Sequence, residues 1–214
     1  MLVIMEVDKI YQLAMAFKPF EVENEVKKLL SEGVDAELIL EQLRKAMMDA
    51  CEKFGKEFAL PQLSAVMAAF TMGYDILKDK IKRKEKGKIL MGTLGSMHYI
   101  GKDIIKVLYM ADGFDVIDLG ENLMAENFIQ GIIEHKPHLV GISMFLTNAI
   151  FELSKIIEFL EKEGLRGRVK VIVGGVQGNK YIAEKYRLDG WGHDPKTALE
   201  LANKLVSEVR VKYG

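Results

Sequence analysis

The stretch Lys88-Ile89-Leu90-Met91-Gly92-Thr93-Leu94-Gly95-Ser96-Met97-His98-Tyr99-Ile100-Gly101 decides how the chain reads. Residues 89–92 form a short apolar run, which predicts a buried strand. The glycine-bearing segment that follows predicts a loop, and residues from Ile100 to Ala111 predict a helix. A strand, a glycine loop and a helix in that order make the ligand-binding end of an α/β sheet. His98 is the unusual member, because catalytic and metal-binding side chains are often placed on such loops.

Toward the C-terminus the same rhythm repeats. Further strands are predicted at Asp115–Leu119, Leu139–Ser143 and Val169–Val173, with a weak one near Leu188–Trp191. Helical runs fall between them, at roughly Ala125–His135, Asn148–Glu163, Asn179–Tyr186 and Pro195–Val209. Alternation of this kind predicts a parallel sheet covered on both faces, and five strands fit a flavodoxin-like order.

Toward the N-terminus the rhythm is helical throughout. Helices are expected at Glu6–Phe17, ended by Pro19, and at Glu21–Ser31, punctuated by Gly33. A third runs from Ala36 to about Lys56 behind a capping Asp35, and a fourth opens at Pro61. The fourth carries one apolar face, with Leu63, Val66, Met67, Phe70, Tyr74 and Leu77, and a second, flatter face with Ala65, Ala68, Ala69, Met72 and Ile76. Two apolar faces call for cover on two sides, as at the centre of a four-helix bundle. The charge-rich segment 79–88 separates the halves, giving an expected helical domain over 1–84 and an α/β domain over 88–214.

Totals narrow the function. The 214 residues carry a net charge of −1, with no basic excess to neutralise nucleic-acid phosphates or an anionic membrane. The single cysteine, Cys51, allows no internal disulfide and points to a cytoplasmic protein. The apolar start at Met1–Met5 lacks the basic flank and length of a signal or spanning segment.

The residues after each strand are the informative ones. They are Gly95-Ser96-Met97-His98, Ser143-Met144-Phe145-Leu146-Thr147, Gly174-Gly175-Val176-Gln177-Gly178 and Gly190-Trp191-Gly192-His193-Asp194. All fall on one rim of the sheet. Glycines admit close approach of a ligand to the backbone, and hydroxyls orient it. No GxGxxG or GxxxxGK[ST] follows the first strand, and Ser96 and Ser143 occupy the places where a phospho-receiver needs carboxylates. Pro137 stands between His135 and His138 and breaks the helical geometry that would align them on a metal. His193 lies on the rim but also directly before the last helix. His98, with no second ligand in its loop, suits a cofactor that brings its own metal and needs one protein nitrogen.

Ser96-x-His98-x-x-Gly101, then Ser143 with Leu146-Thr147, then Gly174-Gly175, resembles the cobalamin-binding motif DxHxxG…SxL…GG. The segment Phe58-Ala59-Leu60-Pro61-Gln62-Leu63 with its alanine-rich helix resembles the helical cap of the corrinoid proteins of methyltransferase systems, as does Gly164-Leu165-Arg166. The resemblance implies a non-catalytic subunit that carries a methyl group on cobalt between a substrate-specific methyltransferase and an acceptor methyltransferase, with room for a homo-oligomer. It implies that His98 is the axial cobalt ligand. It implies that Gly92, Gly101, Ser143, Leu146, Thr147, Gly174 and Gly175 line a slot for the corrinoid's nucleotide tail, with Gly192 at its mouth. Gly95, Ser96, Met97, Tyr99, Ile100 and His193 complete the expected cofactor site, and the flat Ala65/Ala69/Met72 face would lie over the methyl side.

This chain departs from the motif at three places. Ser96 replaces the aspartate, the preceding loop is one residue short, and Phe145 stands where leucine is expected. A hydroxyl in place of a carboxylate lowers the basicity of the imidazole by on the order of 1 kcal/mol. His98 is therefore expected to be a weaker cobalt ligand than in the motif. A corrinoid sensor or store without methyl turnover, and a cofactor-free flavodoxin-like interaction module, are the other readings these residues allow.

Overall fold

The computed structural model describes residues 2–81 and 86–213, and for residues 2–5 the backbone alone. The chain divides into two compact units, Met1–Lys84 and Glu85–Gly214. Residues 82–85, within the expected junction, lie outside the described residues.

The first unit holds helices α1 (Leu2–Met15), α2 (Pro19–Ser31), α3 (Ala36–Lys53) and α4 (Leu60–Leu77). Pro19 was expected to end α1, and it also opens α2 at a first-turn position, where its missing N–H costs nothing. The reversal between them is made at Phe17, which takes a left-handed φ of 62° and sets its ring edge-on to Phe58 at 5.1 Å. Asp35 caps α3 by accepting from the Glu37 N–H at 2.9 Å. α3 and α4 close tightly at Gly73, where a Cβ would stand 2.5 Å from Leu43. The first face of α4 is largely buried through Leu63, Val66, Phe70 and Leu77, whereas Ala65, Ala68, Met72 and Ile76 of the second are only half-buried. On α3, burial pushes the Cys51 thiol up to about 12, which keeps it protonated at neutral pH.

The second unit alternates β1 (Lys88–Leu94), α5 (Ile100–Asp112), β2 (Asp115–Asp118), α6 (Ala125–His135), β3 (Leu139–Met144), α7 (Ala149–Lys162), β4 (Lys170–Gly174), α8 (Lys180–Lys185), β5 (Gly190–Trp191) and α9 (Pro195–Tyr213). The strands form one sheet in the order β2-β1-β3-β4-β5, and every pairing is parallel. This is the doubly wound flavodoxin-like order, which reverses direction between β1 and β3 and opens a crevice at their carboxyl ends. β1 runs two residues beyond its expected end, through Thr93 and Leu94, because both pair with β3.

Alternation along these strands sorts their side chains between two faces. Leu90, Leu94, Val140, Ile142, Met144, Val171 and Val173 pack with α6 and α7 in one apolar core. On the opposite face, Thr93, Ser143 and Gly174 are direct neighbours across β1, β3 and β4. α5 and α9 belong to that second side and are joined by a hydrogen bond from the Tyr109 hydroxyl to the Ala198 carbonyl at 3.0 Å.

Candidate corrinoid site

The site is built on the β1–α5 loop, and backbone hydrogen bonds fix where that loop leaves the sheet. The Gly95 N–H donates to the Leu123 carbonyl at 2.8 Å, and the Asn122 N–H donates to the Ser96 carbonyl at 2.8 Å. Gly95 takes a φ of +63°, the left-handed conformation that glycine adopts without strain. Ser96 is thereby turned inward and is 4% exposed.

Ser96 holds His98 at two points. Its Oγ lies 2.7 Å from His98 Nδ1 and accepts the His98 backbone N–H at 3.1 Å. When Nδ1 carries the proton and donates it to Oγ, the Nε2 lone pair is left for a metal. A carboxylate could only accept at this place, whereas a hydroxyl can also donate, so Ser96 is the weaker determinant of that tautomer. The ring of His98 is further held by Phe145, which lies parallel to it with centroids 3.7 Å apart and planes 4° from coincidence. No described residue is hydrogen-bonded to Nε2, and the residue is exposed.

Beside this histidine lies the row Thr93, Ser143, Gly174. Thr93 is fully buried, and its hydroxyl has no hydrogen-bond partner among the described residues. An unpaired buried hydroxyl costs about 1–3 kcal/mol, so its retention points to a partner that the protein itself does not supply. The row continues into backbone, since a Cβ on Gly174 would point at the Gly192 carbonyl, 3.3 Å away. Gly175 (φ +82°) is required by the turn itself, because a Cβ there would meet the Met144 carbonyl at 2.5 Å. Gly101, in the first turn of α5, faces open space.

Gly92 does not belong to this row. It lies on the opposite face, where a Cβ would collide with Leu123 and come within 2.9 Å of Phe128. It is glycine because the α6 core closes on it, and the expectation that it lines the slot is corrected accordingly. His193 is also turned to another task. Its Nε2 lies 3.1 Å from the Asp194 carboxylate, and Asp194 caps α9 by accepting the Thr197 N–H at 2.7 Å. That backbone hydrogen bond is the main cause holding the Asp194 carboxyl below its ordinary value. His138 is tied up as well, with Nδ1 accepting from the Lys88 N–H at 3.0 Å.

Several expected residues present apolar surface on the same rim. Met97, Tyr99, Ile100 and Leu146 are exposed, together with Val176, and Thr147 lies beside them, also exposed. An apolar rim of this kind suits a broad organic ligand.

Two features went unnoticed in the sequence. One is the Thr93 hydroxyl. The other is an ion-pair network that anchors α5. Buried Lys102 places Nζ 2.7 and 2.6 Å from the two Asp118 oxygens, and Lys106 adds a contact at 2.9 Å. Burial alone would raise the Asp118 carboxyl, but the two ammonium groups and the Gly120 N–H hold it below its ordinary value.

These residues fit a cobalamin. Among the described residues, no group of three or more His, Cys, Asp or Glu could enclose a bare ion. One free imidazole nitrogen, an apolar rim and a polar row with an unpaired hydroxyl suit a metal already held in an organic ring that carries a polar appendage.

Comparison with known proteins agrees. A model of the B12 binding domain matches residues 87–200. The chain belongs to the B12-binding family. A corrinoid protein of Desulfitobacterium hafniense is 32% identical over 199 residues, which span 87% of this chain and 92% of that one. The trimethylamine corrinoid protein of Methanosarcina barkeri is 33% identical over 198 residues, spanning 89% of this chain and 87% of that one. In fold, the chain matches the methanol:cobalamin methyltransferase complex of Methanosarcina barkeri with a TM-score of 0.81 at 20% identity, over 98% of this chain and 85% of that one. Membership in this family sets aside the cofactor-free module. No described helix is long and apolar enough to cross a membrane.

Proposed function

We propose that this B12-binding protein is a corrinoid methyl carrier, serving a substrate-specific methyltransferase on one side and an acceptor methyltransferase on the other. The observation that carries the reading is the extent of the likeness. Relatives named as corrinoid proteins, including the trimethylamine one, align over most of their length and not over the cobalamin domain alone. When bound, the corrinoid supplies a cobalt that accepts and releases a methyl group.

The chain's own residues bind and orient the cofactor. His98 Nε2 would hold the cobalt, with Ser96 and Phe145 fixing its ring, and Thr93, Ser143, Gly174 and Gly192 would line the slot for the tail. The exposed Met97, Tyr99, Ile100 and Leu146 would support the corrin ring. His193 serves the cap of α9, and a cytoplasmic location fits the single cysteine.

The test is to reconstitute the reduced protein with cobalamin and offer it a methylamine or methanol with the cognate methyltransferase. The visible spectrum of the protein-bound corrinoid should change to that of its methylated form, and adding the acceptor enzyme should reverse the change. Tight cobalamin binding without methylation by any such partner would overturn the carrier reading in favour of a corrinoid sensor or store.

A further inference from the structure

The stacking of Phe145 on His98 is the contact around the candidate ligand that the motif does not anticipate. It is unusually direct. Centroids 3.7 Å apart in planes 4° from parallel place the two ring faces in closer contact than the roughly 4.5–7 Å usual for aromatic pairs. Two electron-rich rings avoid a face-to-face sandwich, because the negative faces of their π systems repel. The arrangement becomes favourable when one ring is electron-poor. An imidazole that donates its lone pair to a metal cation is such a ring, and its interaction with a phenyl face takes on cation–π character.

The geometry divides the labour between two neighbours. The Ser96 hydroxyl lies 2.7 Å from Nδ1 and fixes the direction in which Nε2 points. A single hydrogen bond of this kind leaves the ring free to tilt about that contact. Phe145 covers one face and removes the tilt, while the Nε2 edge stays open.

We propose that Phe145 is a positioning residue for the cobalt-binding histidine. It sets the plane of the His98 ring and stabilises the metal-bound form of that ring over the free form. In this chain it restores part of the control lost when a serine, and not a carboxylate, faces Nδ1. The proposal rests on the assignment of His98 as the axial ligand.

The experiment compares the wild type with Phe145→Leu and Phe145→Tyr. In cofactor-free protein, NMR should show the His98 ring protons shifted upfield by the phenyl ring current. The shift should persist in Phe145→Tyr and vanish in Phe145→Leu. Ordinary positions in the wild type would overturn the proposal. In protein loaded with cobalamin and reduced to cobalt(II), electron paramagnetic resonance (EPR) reports the fraction with an axial nitrogen from protein labelled with 15N-histidine. Phe145→Leu should lower the equilibrium constant for His98 coordination about two- to tenfold, and Phe145→Tyr should restore it. Phe145→Met carries the same expectation if the leucine variant does not fold. An unchanged constant in the leucine or methionine variant would overturn the proposal while the His98 assignment stands. Absence of the histidine signal in the wild type would overturn both.

Discussion

Two histidines stand on the carboxyl rim of one sheet, and their surroundings differ. His98 is held at Nδ1 by a buried serine and across one face by a phenyl ring, so Nε2 is open. His193 has Nε2 against a carboxylate that is itself occupied in capping a helix. Position on the rim is therefore insufficient to make a metal ligand. The nitrogen aimed outward must be the one that no neighbour uses, and the ring must be held from its other side.

The largest expected effect separates the two directly. His98→Ala should abolish the protein-nitrogen contribution to the visible spectrum of bound oxidised corrinoid, and His193→Ala should leave it unchanged. The reverse outcome would exchange their roles.

Next in size is the anchor of α5, the helix that begins just beyond His98. Asp118→Asn removes the main partner of buried Lys102, and should cost about 3 kcal/mol in denaturant unfolding of the second unit. The acid limb of stability carries the same information. The Asp118 carboxyl is held below its unfolded value in the fold, so its contribution is fully present above that ordinary value and disappears as pH falls through the lowered one. Unfolding measured over a pH series should show this loss in the wild type and a flatter acid limb in Asp118→Asn.

A smaller effect changes sign with the cofactor. Thr93→Val replaces an unpaired buried hydroxyl by a methyl group of similar volume. Cofactor-free protein should gain about 1 kcal/mol of stability, and cobalamin affinity should fall by about the same amount, roughly fivefold. Movement of both quantities in one direction would show that Thr93 makes no contact with the tail.

The smallest expected effect is at Ser96. Ser96→Asp should bias Nδ1–H more strongly, make His98 the better donor by on the order of 1 kcal/mol, and lower the cobalt reduction potential seen by spectroelectrochemistry. An unmoved potential would show that the neutral partner already suffices.

Much of this was legible in the sequence because it depends on local periodicity. The all-parallel sheet follows from strand–helix alternation, and the rim residues follow from knowing that the carboxyl ends converge. Facing was harder. Gly92 and Thr93 are adjacent, and ending β1 at Gly92 hid the alternation that sends one to the α6 core and the other to the polar row. Long-range partners were harder still. Nothing local pairs Lys102 with Asp118, and no local pattern places Phe145 on His98. The Thr93 signal was available in principle, since a threonine inside an apolar strand asks where its hydroxyl is satisfied.

The central claim, that His98 Nε2 holds the cobalt, is tested most directly by isotope-edited EPR. Protein grown on 15N-histidine is loaded with unlabelled cobalamin and reduced to cobalt(II). Coordination by His98 predicts a two-line nitrogen splitting that reverts to three lines with unlabelled protein and is lost in His98→Ala. A three-line splitting that persists in the labelled protein would show that the cofactor keeps its own base, and would contradict the account.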